Sequence, residues 1–344
     1  MASQVEREAV NCHMLTEAQV AFFEAEGYLL VPDVLDAGDL HPVVAEYESA
    51  LDRAASDLHA QGRLKHTYPG MPFAERYIAI VTECPDVYRY LGISLPLSNE
   101  PTDEDTCRAH TGPELFKLLR HRKVLDIVES IIGPEILSNP VQQARIKPPI
   151  EALQGAMAGY SNVGSTTWHQ DFGAVMDDAA DTDMLTVWIA ITDASPEMGC
   201  LVVIPRSHES GELTLHCPGV KVEGENYIPA ALLEGRPAVP LPATAGSLVL
   251  LSKWTEHGAL DNTSDRLRWS FDLRYQPIGQ PTGRPAFPAW VARSRSNPNS
   301  ELHDPEEYAR LWEEARRRII AGSNEGPVFE QARWAANAEN PICA

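Results

Sequence analysis

Apolar residues recur at helical spacing between Leu15 and Gly133. In "LTEAQVAFFEAEG", Thr16 and Gln19 stand three apart. This is the pairing in which each side chain satisfies the other's backbone N–H at a helix start. Leu15 and Val20 flank it as a hydrophobic staple, Gly27 ends the helix, and "YLLVP" follows as a short strand. A second helix is predicted from about Leu40 to Gln61, with Val44, Tyr47, Leu51 and Leu58 along one face. A third covers "ELFKLLRHRKVLDIVESII" and stops at Gly133-Pro134.

From about Leu137 the period shortens. "VQQARIK", "MLTVWIAIT", "CLVVIP", "GSLVLLS" and "LRWSFDLRYQ" are rich in Val, Ile, Leu, Trp and Thr, and Gly, Pro or acidic turns separate them. Short strands after a helical run predict a barrel or double-sheet core with helices packed outside. The chain closes on "PEEYARLWEEARRRIIAG", whose Tyr308, Leu311, Trp312, Ala315 and Ile319 line one side for packing. No Pro/Gly/Ser linker divides the sequence. A single domain over 1–344 is expected, with a helical part at about 15–135, a β core at about 136–280 and a closing helix at about 305–321.

Hydrophobic residues make up 44% of the 344, enough for a sizeable core. The formal net charge of −21 runs against nucleic-acid or anionic-membrane partners, which need clustered Lys and Arg. No apolar run approaches the roughly 18 residues of a membrane span, and "MASQVEREAVNCHML" lacks an apolar signal core. Cys12, Cys84, Cys107, Cys200, Cys217 and Cys343 are scattered without a CxxC pair. That pattern predicts reduced thiols in a cytoplasmic protein rather than a disulfide framework. The expected partner is a small molecule, and nothing in the sequence sets an oligomeric state.

The chemistry concentrates in "STTWHQDFGAVMDD". In extended chain, residues two apart point to the same side, so His169 and Asp171 can reach one point while Gln170 faces away. By itself that spacing is equally a polar loop. His257 follows the apolar "GSLVLL" and offers a third ligand if its strand lies beside the pair. Two histidines and one carboxylate leave coordination positions open, as in non-haem Fe(II) oxygenases. The same three residues also serve zinc. Eleven residues beyond His257 stands Arg268, a permanent cation able to grip a carboxylate with two parallel hydrogen bonds.

Taken in order, "LTEAQVAFFEAEGYLLVPDVL", "ARIKPP", "WHQDF", "GCLVVIPRSH" and "HGALDNTSDRLRWSF" resemble the phytanoyl-CoA dioxygenase family of Fe(II)/2-oxoglutarate oxygenases, over about residues 15–275. The resemblance implies a fold that is mainly β with flanking helices around a double-stranded β-helix, a jelly-roll or cupin-like core. It implies Fe(II), 2-oxoglutarate and O2 as cofactor and cosubstrates. His169, Asp171 and His257 would be the metal ligands, and Arg268, rather than its neighbour Arg266, the clamp on 2-oxoglutarate. Gln143, Arg145, Lys147 and Trp188 would line the cosubstrate or substrate pocket. Many relatives carry a serine two residues after the distal histidine. Here that position is Ala259, so either another hydroxyl, with Thr186 the expected one, takes the role or Arg268 works with less help. Iron halogenases lose the carboxylate ligand to make room for chloride, so Asp171 favours hydroxylation or another oxidation of a small natural product or amino-acid-like substrate.

The other polar residues read plainly. His208 fixes a loop; His110, His121 and His303 are solvated; and Asp177, Asp178, Asp181 and Asp183 form a solvated acidic loop. Glu256 faces away from its neighbour His257. Two rival functions stand beside the oxygenase: a zinc-dependent hydrolase or isomerase on the same three ligands, and a non-catalytic metabolite-binding barrel. Arg268 and a requirement for 2-oxoglutarate separate the oxygenase from the first, and the intact set of three ligands weighs against the second.

Overall fold

The computed structural model describes residues 13–96, 103–153, 162–219, 226–324, 328 and 334–343. Residues 1–12, which hold Cys12 and most of the stretch read for a leader, lie outside them.

Seven α-helices occur among the described residues: α1 (Glu17–Glu26), α2 (Ala37–Ala60), α3 (Phe73–Glu83), α4 (Tyr88–Leu91), α5 (Pro113–Leu119), α6 (Arg122–Ile132) and α7 (Pro305–Ile320). The capping box at Thr16 and Gln19 forms, and Gly27 closes α1 at φ 78°, a left-handed value that glycine adopts without cost. The single helix expected over 114–132 is two, parted at Arg120-His121. The break lets both pieces bury apolar faces, with Leu115, Phe116, Leu118 and Leu119 in α5 and Val124, Leu125, Ile127 and Val128 in α6. An unbroken periodicity hid that change of axis.

Twelve strands follow the chain: β1 (Tyr28–Val31), β2 (Glu135–Lys147), β3 (Thr166–His169), β4 (Leu185–Ala190), β5 (Leu201–Val203), β6 (Cys217–Pro218), β7 (Asn226–Tyr227), β8 (Val239–Leu241), β9 (Leu248–Ser252), β10 (His257–Ala259), β11 (Arg268–Pro277) and β12 (Trp290–Ser294). They form an antiparallel sheet in the order β1-β9-β4-β11-β2-β12 and a smaller one in the order β3-β10-β5-β8, with β6-β7 as a separate hairpin. The fold is mainly β with flanking helices, a double-stranded β-helix of the jelly-roll kind.

Strand β11 shows how one sequence serves two environments. Trp269, Phe271, Leu273 and Tyr275 are buried in the main core beneath the helices. Trp269 lies 4.8 Å, ring to ring, from Tyr47 of α2 and 5.1 Å from Phe73 of α3, and each such aromatic pair adds about 0.5–1.5 kcal/mol beyond burial. The alternating Arg268, Ser270, Asp272, Arg274 and Gln276 are equally buried but polar, and take the opposite face. On β4, likewise, Leu185, Val187 and Ile189 join the helix-side core while Trp188 and Ala190 belong to the cluster between the sheets.

Two expectations are corrected. Cys217 and Cys343 are joined in a disulfide, while Cys84, Cys107 and Cys200 are buried. The partners stand 126 positions apart, so no local spacing announces them; the β6-β7 hairpin and the folded C-terminal residues bring them together. Scattered spacing therefore does not keep all the thiols of this chain reduced. His110 is not solvated. Its side chain is 8% exposed and its Nε2 lies 2.9 Å from Glu46, whose carboxylate also accepts the backbone N–H groups of Glu114 and Leu115 at the start of α5. His303, at 61% exposure, is solvated as expected. No helix among the described residues is long and apolar enough to cross a membrane.

Candidate metal centre

Strand register brings the three proposed ligands together. β10 runs antiparallel to β3 with His257 directly opposite His169, and the ladder is irregular just beyond, between His257 and Ala259. The chain leaves β3 after His169 and enters a short 3-10 turn, Asp171–Ala174, whose first residue points back at the histidines. Gln170 between them is 1% exposed and faces away. Its amide donates to the carbonyls of Glu212 and Trp254 and accepts from Thr214 N–H, which fixes the turn.

Ligand atoms of His169, Asp171 and His257 all lie within 4.8 Å of one another. Asp171 Oδ1 is 3.8 Å from His169 Nε2 and 4.0 Å from His257 Nε2. Both imidazoles are oriented from behind: Nδ1 of His169 meets the Thr167 carbonyl at 2.8 Å, and Nδ1 of His257 meets that of Thr255 at 2.9 Å. A carbonyl only accepts, so each Nδ1 carries the proton and each Nε2 lone pair is left for a metal. Burial, reinforced by the neighbouring His257, pushes the His169 imidazole down to about 3, so it is neutral at physiological pH, the form that coordinates. Burial alone would raise the Asp171 carboxyl. Arg274, the two imidazoles and the Thr186 hydroxyl outweigh it and hold the group well below the usual carboxylate range.

Two side chains of β4 and β11 complete this environment. Thr186 donates from Oγ1 to Asp171 Oδ2, and Arg274 donates from Nη2 to Asp171 Oδ1 at 2.5 Å. Arg274 is absent from the reading of the sequence, although its parity with Arg268 on one strand was visible there. Thr186, expected to serve the far carboxylate of 2-oxoglutarate, spends its hydroxyl on Asp171 instead.

Arg268 is fully buried. Its Nε donates to the Gly199 carbonyl at 3.1 Å and its Nη1 to Ser270 Oγ at 2.9 Å, while Nη2 has no partner. Gly199 holds φ 78°, and a Cβ there would lie 2.6 Å from the Leu260 carbonyl oxygen, so only glycine turns its own carbonyl toward the arginine. Burial lowers the Arg268 guanidinium to about 10, still cationic at neutral pH. A buried cation with an unpaired N–H is costly unless something anionic fills the place. Ser270, two residues along the same face, puts a hydroxyl beside it. The near alternative, Arg266, is exposed and faces Asp193 at 3.5 Å.

The remaining pocket candidates lie on the same inner face. Lys147 stands opposite Arg268 on β2 and donates to Thr166 Oγ1 across the gap between the sheets. Arg145, opposite Ser270, is ion-paired with Asp272. Gln143 is half-buried opposite Asp272. Trp188 is 1% exposed, with its indole N–H unpartnered and the Arg268 guanidinium 5.8 Å from its ring centre. Arg145, Lys147, Arg268 and Arg274 thus meet Asp171 and Asp272 in the interior of a chain whose formal net charge is −21. This local excess of positive charge suits an anionic ligand. Glu256 is turned away, held by Thr214 and Arg236, and His208 ties its loop to the Glu24 carbonyl, both as read from the sequence.

The donor set fits iron: two imidazoles and one ionised carboxylate converge on one point, and an unpartnered N–H of the cationic Arg268 lies on the same inner face of the sheet as Arg274, which holds the carboxylate.

The family model for phytanoyl-CoA dioxygenase matches residues 23–270. Phytanoyl-CoA dioxygenase domain-containing protein 1 of Bos taurus is 32% identical over 128 residues, 36% of this chain and 42% of that protein. Its Rattus norvegicus counterpart is 30% identical over the same shares. The chain thus spans less than half the length of these curated relatives. Among solved structures, the apo form of the non-heme monooxygenase ThoJ has a TM-score of 0.53 at 16% identity, covering 89% of this chain and 98% of ThoJ. Its nickel complex has a TM-score of 0.52 at 18% identity, covering 89% and 100%; this likeness shows the shared fold. With the family match extending over most of the sequence and enclosing His169, Asp171, His257 and Arg268, the chain belongs to the phytanoyl-CoA dioxygenase family.

Proposed function

We propose that this chain is an Fe(II)- and 2-oxoglutarate-dependent oxygenase that hydroxylates, or otherwise oxidises, a C–H bond of a small natural-product or amino-acid-like substrate. The observation that carries the reading is the pairing of a three-sided ligand set with a buried, incompletely satisfied Arg268 inside the same double sheet. A zinc hydrolase has no evident use for that second feature, and a barrel that only binds a metabolite has none for the three-sided ligand set.

Bound Fe(II) with 2-oxoglutarate and O2 would supply the oxidising power for an unactivated C–H bond, as 2-oxoglutarate is converted to succinate and CO2. The protein supplies position. His169 and His257 present Nε2, and Asp171 presents Oδ1. Arg268 Nη2 and Ser270 Oγ bind the far carboxylate of the cosubstrate, and Lys147 adds charge beside them. Trp188 forms an apolar wall that keeps water from the same place, with Gln143 and Arg145 nearer the substrate. The fold partner ThoJ is itself a non-heme monooxygenase, and its nickel complex accords with a divalent-metal site on this scaffold.

The test is anaerobic reconstitution. Adding Fe(II) and then 2-oxoglutarate should produce a visible charge-transfer band, and admitting O2 should release succinate. No band, with no 2-oxoglutarate bound by equilibrium dialysis, would leave the zinc or binding-only reading standing.

A further inference from the structure

Asp171 differs from an ordinary surface carboxylate in that both its oxygens are claimed before any metal arrives. It is 1% exposed. Oδ2 accepts the Thr186 hydroxyl, and Oδ1 accepts Arg274 Nη2 at 2.5 Å. Thr186 and Arg274 are themselves paired: β4 and β11 run antiparallel with these residues directly opposite. One rung of the larger sheet therefore reaches across the interior and grips a single carboxylate belonging to the turn after β3. Both are buried, at 2% and 3% exposure, so neither trades its partner for water.

The two contacts are not equivalent. Oδ1 is the oxygen that faces both imidazole Nε2 atoms, at 3.8 and 4.0 Å. An ionised carboxylate oxygen has two lone-pair sites, so Oδ1 can keep Arg274 on one and offer the other to a metal. Oδ2 is turned the opposite way, and a buried hydroxyl with a charged acceptor is a strong bond to break. Swinging Oδ2 toward the histidines would cost that bond and leave the hydroxyl unpaired.

We propose that Thr186 and Arg274 are positioning residues that make Asp171 a one-oxygen metal ligand: Thr186 withholds Oδ2, and Arg274 fixes the plane of the carboxylate. The inference rests on the metal-centre reading above. Its chemical consequence concerns vacancy. A carboxylate that chelates through both oxygens fills one more coordination position than one that binds through a single oxygen. The Thr186–Arg274 rung thereby reserves a position for a cosubstrate or for dioxygen.

The experiment uses Co(II) as a spectroscopic probe under anaerobic conditions, with the full chain as wild type, Thr186→Val, Thr186→Ser and Arg274→Lys. Valine keeps the shape of threonine and removes the hydroxyl; alanine replaces it if valine is not accommodated. Co(II) visible absorption reports coordination number, and 2-oxoglutarate affinity is measured on the Co(II)-loaded protein without turnover. The expected result is a shifted Co(II) spectrum in Thr186→Val, with 2-oxoglutarate binding weakened at least tenfold and Co(II) affinity held or improved. Thr186→Ser should restore the wild-type spectrum, which a purely structural role would not require. Arg274→Lys, which keeps the charge and loses the planar fork, should also shift the spectrum. A Thr186→Val protein with a wild-type spectrum and 2-oxoglutarate affinity within twofold overturns the inference while leaving the metal reading intact. A wild-type chain that takes up no Co(II) overturns both.

Discussion

His257 stands directly across from His169 on neighbouring antiparallel strands, with the two rings 4.3 Å apart, although 87 positions of chain separate them. Ladder pairing, not proximity in sequence, makes them one site. Replacing His169, the more accessible of the two at 17% side-chain exposure, tests this with least risk to the core. His169→Ala should lose stoichiometric Fe(II) binding and at least a hundredfold in succinate release, with an unchanged circular dichroism spectrum. Full metal occupancy in that variant would remove the histidine from the site.

Arg268→Ala should weaken 2-oxoglutarate binding by tenfold or more, about 1.4 kcal/mol, and leave Fe(II) binding within twofold, if the guanidinium is the proposed clamp on the cosubstrate and does not touch the metal. Ser270→Ala should give a smaller loss in the same direction. Equilibrium dialysis with labelled 2-oxoglutarate measures both. Equal affinity in wild type and Arg268→Ala would move the clamp elsewhere.

The Glu46 carboxylate gives the fold an acid limit of its own. Burial would raise its protonation point, but hydrogen bonds from His110 and from the N–H groups of Glu114 and Leu115 lower it below the ordinary value of 4.5. The folded state then binds this proton less readily than the unfolded chain. Stability from this group is present above about pH 4.5 and is lost as pH falls through its depressed folded value. Melting curves between pH 7 and 3.5 should show the wild type losing more stability than Glu46→Gln over the acidic part of that range. Parallel curves would deny the group its role.

Breaking the Cys217–Cys343 bond should cost about 2–4 kcal/mol, since it closes a long loop in the unfolded chain. Reductant should lower the melting temperature of the wild type, while Cys343→Ser should start lower and not respond. A wild type indifferent to reductant, with both thiols alkylated before denaturation, would show the bridge absent in solution.

Much of this molecule could be read from its letters because its periodicities are clean. The 2.0-residue rhythm of "LRWSFDLRYQ" and the helical stripe of "YARLWEEARRRII" announce their elements, and the spaced block from His169 to Arg268 identified the family. What escaped depended on contacts between distant segments. The cut between α5 and α6 was hidden under one continuous apolar pattern. Strand β12, at Trp290–Ser294, forms the sheet edge by pairing with Glu135–Ser138 at the start of β2, far away in sequence. The bond from Thr186 to Asp171 escaped because no one-dimensional cue says which of several buried acceptors a hydroxyl will meet. Arg274 was passed over although the alternation that exposes Arg268 exposes it too. Following parity along the whole strand, rather than stopping at the motif, would have found it.

Strand β11 also constrains how this protein can change. Its even-numbered side chains furnish the reactive interior, and its odd-numbered ones weld the sheet to the helices. A single inserted or deleted residue near its start would exchange the two sets, driving Trp269 into the iron cavity and Arg268 among the aromatic rings. Mutational drift can therefore retune this strand by substitution but never by length, so shelter and chemistry must be inherited as one unit.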